Sequence, residues 1–353
     1  MLKKMNKNTK SNLITYGIVI AAFIIMQTLI STGSISSLME GLMVPLCIYI
    51  ILAVSLNLVV GILGELSLGH AGFMCVGAFT SAFFSKCMRD VITIAPLRFI
   101  LALLIGMAVA AVFGIIIGIP VLRLKGDYLA IVTLAFGEII KNLVNVLFIG
   151  KDSNGFHFST KDVMDLNMEA DGTVLVNGPQ GITGTPKDST FLIGVILILI
   201  TLFIVINMIN SRDGRAIMAI RDNRIAAESV GINVTKYKLM AFTVSAALAG
   251  AAGVLYAHNL STLTANTNNF GYNMSINILV FVVLGGIGSI RGSMIAAAIL
   301  TLLPELLRGL SDYRMLIYAI VLILMMLFNW SPKAIEWREK YLSFGKKKKE
   351  AVK

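Results

Sequence analysis

Gly61-Ile-Leu-Gly64-Glu65-Leu-Ser67-Leu-Gly69-His70-Ala-Gly72 stands between apolar runs near 42 to 62 and 67 to 85. A second such stretch, Leu284-Gly285-Gly286-Ile-Gly288-Ser289-Ile-Arg291-Gly292-Ser293, stands between runs near 275 to 289 and 292 to 308. Short glycine-interrupted segments at corresponding places in two halves of an apolar chain point to broken helices beside a transport path. Tight helix packing by small residues produces the same composition, so the pattern alone leaves both readings open. Working outward, further apolar runs fall near 12 to 31, 97 to 121, 127 to 148, 190 to 210, 239 to 257 and 313 to 330. A bilayer-crossing helix needs about 20 apolar residues, and buried or broken helices need fewer. The pattern therefore predicts an all-α integral membrane protein of about ten transmembrane helices with two Gly-interrupted helical hairpins.

Composition agrees. Of 353 residues, 57% are hydrophobic and only 14% charged, which excludes a soluble domain, although the net charge of +11 would otherwise suggest a nucleic-acid surface. The positive residues instead report orientation. With ten crossings and a cytoplasmic N-terminus, 21 of the 30 Lys and Arg residues fall in the cytoplasmic segments, in the N-terminal tail, 122 to 126, 211 to 238, at Arg291 and beyond 332. Both termini are then cytoplasmic. Lys86, Arg89 and Arg98 lie on the outer side and make the topology of 62 to 98 the weakest part of the assignment. The first run follows a lysine-rich start but is longer than the roughly 7 to 15 residues of a signal-peptide core and lacks an A-x-A site, so it reads as a retained helix.

Two polar segments interrupt the apolar pattern. Residues 149 to 189 form an extracytoplasmic loop, read as an external cap or lateral hairpin. Residues 211 to 238 form a basic cytoplasmic segment in which Asp222 or Asn223 can cap a short helix and Gly231 can end it. That helix would offer Ile225, Ala226, Ala227 and Val230 to a partner; a solvated loop whose arginines only set topology is the alternative. Cys47, Cys75 and Cys87 lack disulfide or metal spacing, and three histidines make no metal site, so the cysteines read as packing residues. Charged residues inside spans are costly and face a partner or a wet cavity. Glu138 with Lys141, and Glu305 with Arg308, repeat an i, i+3 spacing that allows mutual neutralisation or exposure to the path. The lysines near 346 to 349 suit an anionic lipid surface. Nothing matches GxxxxGK[ST], so the chain has no visible means of hydrolysing ATP.

Particular residues resemble a family. Arg123-Leu-Lys125-Gly126-Asp127-Tyr128 running on to Thr133-Leu-Ala-Phe136-Gly137-Glu138, then Gly178-Pro179-Gln180-Gly181-Ile182, are similar to the LivM-type permeases of branched-chain amino acid ABC importers. Ala226-Ala227-Glu228-Ser-Val-Gly231-Ile-Asn233 running into Ala246 to Gly253 resembles that family's cytoplasmic coupling region, and both glycine-rich stretches are similar again. The matches span about residues 50 to 310; the segment between Phe148 and Gly178 is longer than the family usually carries.

The resemblance implies a transport subunit and not an enzyme. Residues 1–11 would be a cytoplasmic tail, 12–330 a single permease domain and 331–353 a basic cytoplasmic tail, in the inner or plasma membrane. The implied partners are a second permease of LivH type, two ABC ATPase subunits and an extracytoplasmic substrate-binding protein, with no nucleic acid. No cofactor is expected on this chain; ATP and magnesium belong to the ATPases, and no metal or catalytic site is expected. ATPase coupling falls to Ala226, Ala227, Glu228 and Gly231 with Arg221 and Arg224. Pathway candidates are Glu65, Ser67, His70, Thr133, Glu138, Gly285, Gly286 and Gly288. The substrates implied are leucine, isoleucine and valine, with urea or short amides as the alternative within related importers. A proton-coupled secondary transporter using Glu138 or Glu305 is the competing class.

Overall fold

The computed structural model describes residues 7–33, 36–122, 127–169 and 172–307, with isolated positions between 313 and 327. Expectations for residues 1–6, Arg123, Lys125, Arg308, most of the run 313 to 330 and the tail from 331 lie outside the described residues. The helices in chain order are α1 (Lys7–Ser31), α2 (Ser37–Gly41), α3 (Met43–Asn57), α4 (His70–Cys87), α5 (Ala95–Val121) and α6 (Asp127–Asn145). There follow α7 (Phe191–Asn210), α8 (Arg212–Asp222), α9 (Arg224–Ser229), α10 (Val234–Ala257), α11 (Thr267–Phe270), α12 (Tyr272–Gly285) and α13 (Ile290–Leu306). Among the described residues, six helical segments are long and apolar enough to cross a membrane: 12–31, 37–63, 95–121, 128–145, 191–210 and 234–257. The apolar runs near 275 and 292 are helices too, but α12 and α13 have only 14 and 17 residues.

α3 and α10 form the centre. Of the apolar window of 37–63, 89% is buried inside the protein, against 6% for α1. α10 lies so close to α4 and α5 because small residues meet there. A Cβ on Gly250 would be 2.5 Å from Ala110 Cβ, and one on Gly253 would be 2.1 Å from Met74 O. Small residues at helix contacts bring backbones together and add dispersion where no hydrophobic effect operates. The composition of 246 to 253 is explained by packing.

The segment 149–189 corrects the all-α expectation. Strands β1 (Phe148–Asp152), β2 (Gly155–Ser159) and β3 (Thr173–Asn177) form an antiparallel sheet in the order β2-β1-β3, with a register irregularity between Ile149 and Gly150. The β1–β2 turn is set by Asp152, whose Oδ1 accepts from the N–H groups of Asn154 and Gly155, while Gly155 takes φ +139°. Strands β4 (Ile182–Thr183) and β5 (Thr262–Leu263) pair and tie this region to the segment after α10.

These contacts also settle which loops share an end. Lys86 Nζ donates to Val174 O and Leu175 O at 2.9 and 3.2 Å, and Arg98 bridges Asp188 at 2.8 Å with both side chains nearly buried. The loop 88–94, the sheet and the β4–β5 strap therefore lie together. At the other end of α10, about 36 Å away along 24 residues, lie 61–69, 211–238 and 286–289. The basic residues that weakened the topology of 62 to 98 include two that bind their own protein's loop.

Candidate coupling segment and translocation site

The basic segment folds as two helices, where the sequence predicts one. α8 is capped by Ser211, which accepts from Gly214 N at 3.0 Å, and it buries Ile217 and Ile220. Asn223 then leaves the helical region, at φ −155° and ψ 104°, and its Oδ1 accepts from Ala226 N at 3.1 Å to start α9. Asn223 is thus the cap, and not Asp222. Gly231 closes α9 at φ +84°, the left-handed region that a residue with a Cβ enters only with strain. Ile225 and Val230 are 79% and 75% exposed, and Ala226 is also exposed. Ala227 does not face outward. It packs against Ile220 and Val234 and anchors α9 to the body of the protein. Arg224 and Glu228 pair at 2.9 Å on the exposed side.

Arg221 connects this segment to the first glycine-rich stretch. From Leu58 to Leu63 the chain after α3 widens into a π-helical turn, which frees carbonyls from the ordinary i−4 pattern. The Arg221 guanidinium donates to Gly61 O at 3.0 Å and to Asp222 Oδ1 at 2.9 and 3.1 Å. Its stem lies over Gly64, where an added Cβ would stand 2.5 Å from Arg221 Cγ. Beside it Lys238 on α10, 4% exposed, pairs with Glu65. Leu63, Gly64, Glu65, Arg221, Arg224 and Lys238 line a cleft of about 340 Å³ between the two elements.

The two glycine-rich stretches touch each other. A Cβ on Gly61 would fall 2.3 Å from Gly288 N. Asn57, fully buried on α3, accepts from Gly288 N at 2.9 Å and donates to Ser293 Oγ at 2.9 Å. Gly286 and Gly288 take φ +93° and +82°, and a Cβ on Gly285 would meet Gly292 at 2.4 Å, so the legs of the second hairpin are in backbone contact. The Gly285, Gly286 and Gly288 candidates therefore shape a turn at the hairpin tip.

Past Gly64 the chain runs without regular structure to His70, so the third apolar run begins three residues before its helix does. Its polar groups reach a layer deeper between the helices. Leu68 N donates to Thr133 Oγ1 at 3.0 Å, His70 Nε2 lies 2.7 Å from Ser55 Oγ, and Ala71 N donates to Ser275 Oγ at 3.2 Å. Ser67 is buried, and its hydroxyl has no hydrogen-bond partner among the described residues. Glu138 pairs with Lys141 as the spacing predicts, but it also accepts from Tyr272 N at 2.8 Å, and Lys141 donates to Thr267 Oγ1 at 3.3 Å. Thr133 and His70 are thus buried polar groups between the helices, Glu138 lies partly exposed against the start of α12, and Glu65 belongs to the end held by Lys238. Sequence reasoning missed Asn57, Ser55, Ser275 and Lys238. Uncharged amides and hydroxyls inside apolar runs are the signal that finds the first three.

Comparison with known proteins follows the same residues. Residues 38–328 match the family described as branched-chain amino acid transport system permease component. The high-affinity branched-chain amino acid transport system permease protein LivM of Escherichia coli is 37% identical over 298 residues, covering 82% of this chain and 67% of that protein. LivH of Salmonella typhimurium is 24% identical over 286 residues, covering 79% and 88%. The ribose import permease protein RbsC of Escherichia coli is 28% identical over 292 residues, covering 79% and 81%. No solved structure matches the chain. The match over residues 38–328, together with 37% identity to LivM across 82% of the chain, means that this chain belongs to the family of permease components of branched-chain amino acid transport systems.

Proposed function

We propose that the chain is the transmembrane permease subunit of an ATP-driven importer and forms half of the path for leucine, isoleucine and valine. It works beside a second permease of LivH type, two ATPase subunits that carry ATP and magnesium, and a binding protein that delivers the amino acid outside. The chain crosses the inner or plasma membrane ten times with both termini in the cytoplasm. That orientation is supported by the bias of Lys and Arg toward 211 to 238 and the other segments on its side. The sheet of 148–177 and the β4–β5 strap then face the binding protein.

One observation carries the reading. α9 is exposed and capped at both ends, and the helices on either side of it grip the first glycine-rich stretch, α8 through the Arg221 bond to Gly61 O and α10 through Lys238 with Glu65. A push on α9 reaches Gly61, and through Asn57 and Gly288 it reaches the second hairpin. An ATPase groove closing on Ile225, Ala226 and Val230 therefore has a mechanical route into the membrane. The test is leucine uptake by the complex reconstituted in vesicles with Glu228→Ala and Gly231→Val. ATP-dependent uptake should fall in both variants while the complex still assembles; uptake at the wild-type rate in both would remove the coupling role. Isothermal binding of leucine and of urea to the cognate binding protein checks the substrate, and preference for urea would contradict it.

A further inference from the structure

α12 exposes polar side chains far from either membrane surface. Gly285 ends it at the hairpin tip, and Asn277 stands eight residues earlier. That places Asn277 about 12 Å along the helix axis from the tip, near the middle of a hydrocarbon core about 30 Å thick. Asn277 is exposed, as are its neighbours Tyr272 and Ile276 at 45% and 42%. Asn273 lies one turn before Asn277 on the same face and donates to Asn268 Oδ1 at 3.1 Å. The opposite face of α12 is buried, with Ser275 bonded to Ala71 N of α4.

α6 meets this face at the start of α12, about 7.5 Å along the axis from Asn277. Glu138 stands 11 residues from the start of α6, about 16 Å along its axis, and its carboxylate takes the Tyr272 N–H at 2.8 Å. Its side chain is 25% exposed, and Asn142, one turn on, is exposed as well. Amide groups and a carboxylate at these depths cannot face acyl chains without a large loss of hydrogen bonding. The face must be covered by water, by the neighbouring subunit, or by both.

We propose that the α6–α12 face carrying Glu138, Asn142, Asn273 and Asn277 is the wall of the path and holds the charged head group of a zwitterionic amino acid. This rests on the importer reading and names the residues it lacked. Glu138, already neutralised by Lys141, offers an oxygen to the α-ammonium without presenting a bare charge. Asparagine amides both donate and accept, so they can satisfy a carboxylate and an ammonium in turn as the molecule advances. Uncharged groups do so without the deep trap of a full ion pair, as rapid passage requires.

The experiment uses the complete importer with its second permease, ATPases and binding protein. Asn277→Leu has similar size and suits a lipid-facing position. Leucine uptake should fall about tenfold or more, the loss expected when hydrogen bonds to a charged group disappear, while assembly and ATP hydrolysis persist. Uptake by Asn277→Leu at the wild-type rate would overturn the proposal. Should that variant fail to assemble, Asn277→Cys decides, in a background with Cys47, Cys75 and Cys87 replaced by alanine. A membrane-impermeant charged methanethiosulfonate should label it, and saturating leucine should slow the labelling. No labelling in any nucleotide state, or labelling that leucine leaves unchanged, would overturn the proposal. A wild-type complex that takes up no leucine would contradict the substrate reading instead, and labelling of Asn277→Cys would still decide whether the face is wet.

Discussion

The two glycine-rich stretches look alike in sequence and are built differently. Gly285 to Ser293 is a tight turn with its legs in backbone contact, closed by glycines at positive φ. Gly61 to Gly72 is open: a π-helical turn, a left-handed Gly64 at φ +79° and a segment without regular structure that leads to His70. The open stretch is held by Arg221 of α8 and by Lys238 at the start of α10. The closed one is reached through Asn57 and the Gly61–Gly288 contact. Under the proposed coupling the difference implies an order, from α8 and α9 to the open stretch and from the open stretch to the closed turn.

The largest way to break this order is at its narrowest contact. Gly61→Ala puts a Cβ 2.0 Å from Asn57 Oδ1 and 2.3 Å from Gly288 N, and backbone cannot move aside as a flexible side chain can. Overpacking of this kind costs about 1–3 kcal/mol or more, so the variant should give less folded protein in membranes and little uptake. A wild-type yield would show that the two stretches stand apart. Next comes Asn57→Leu, which keeps the volume but strands the Gly288 N–H and takes from Ser293 Oγ the donor it accepts from, leaving its own bond to Ser289 O. Stranded buried groups cost about 1–3 kcal/mol each, so the melting temperature of the detergent-solubilised complex should drop. An unchanged melting temperature would remove Asn57 as the link.

Smaller effects separate the two ends of the molecule. Burial alone would raise the Asp152 carboxyl, but the N–H groups of Glu169 and Asn154 and the His157 ring 2.9 Å away hold it below the usual carboxylate range. A group lowered in this way stabilises the fold above its unfolded value, and that stabilisation is lost as pH falls through its folded value. The sheet of 148–177 should therefore become more open to proteases in acid, and Asp152→Asn should show part of that opening already at neutral pH. Equal protease resistance across this range would contradict the role of Asp152. Smallest is Arg224→Ala. With Arg224 and Glu228 42% and 48% exposed, the pair contributes about 0.5 kcal/mol or less, so thermal stability should hardly change. A fall of several degrees would mean that Arg224 supports the fold.

Much of this was legible from the residues. The apolar runs locate α3, α5, α7 and the helices of the second hairpin because hydrophobic length is a direct demand of the bilayer. Asn223 and Gly231 mark the ends of α9 because capping is local chemistry. The sheet was not legible: Phe156 and Phe158 are exposed on β2, and strand pairing between β1 and β3 spans about twenty residues with a register irregularity. α8 was missed because its arginines read as topology signals although Ile217 and Ile220 point inward. Asn57 and Asn277 escaped a search for ionisable groups, since an amide costs less in hydrocarbon than a charge yet still needs a partner. Ala227 looked available for docking because sequence cannot tell the inner from the outer side of a helix barely two turns long.

In the proposed coupling, motion passes from α8 and α9 to the first glycine-rich stretch through Arg221. Arg221→Met keeps the stem over Gly64 and removes the donor to Gly61 O. In reconstituted vesicles, ATP hydrolysis and leucine uptake are measured on the same preparation. Loss of a charge-assisted hydrogen bond, about 1.5–3 kcal/mol, predicts uptake lowered roughly tenfold or more at nearly wild-type hydrolysis. Uptake that stays in proportion to hydrolysis, whether both are preserved or both fall together, would contradict it.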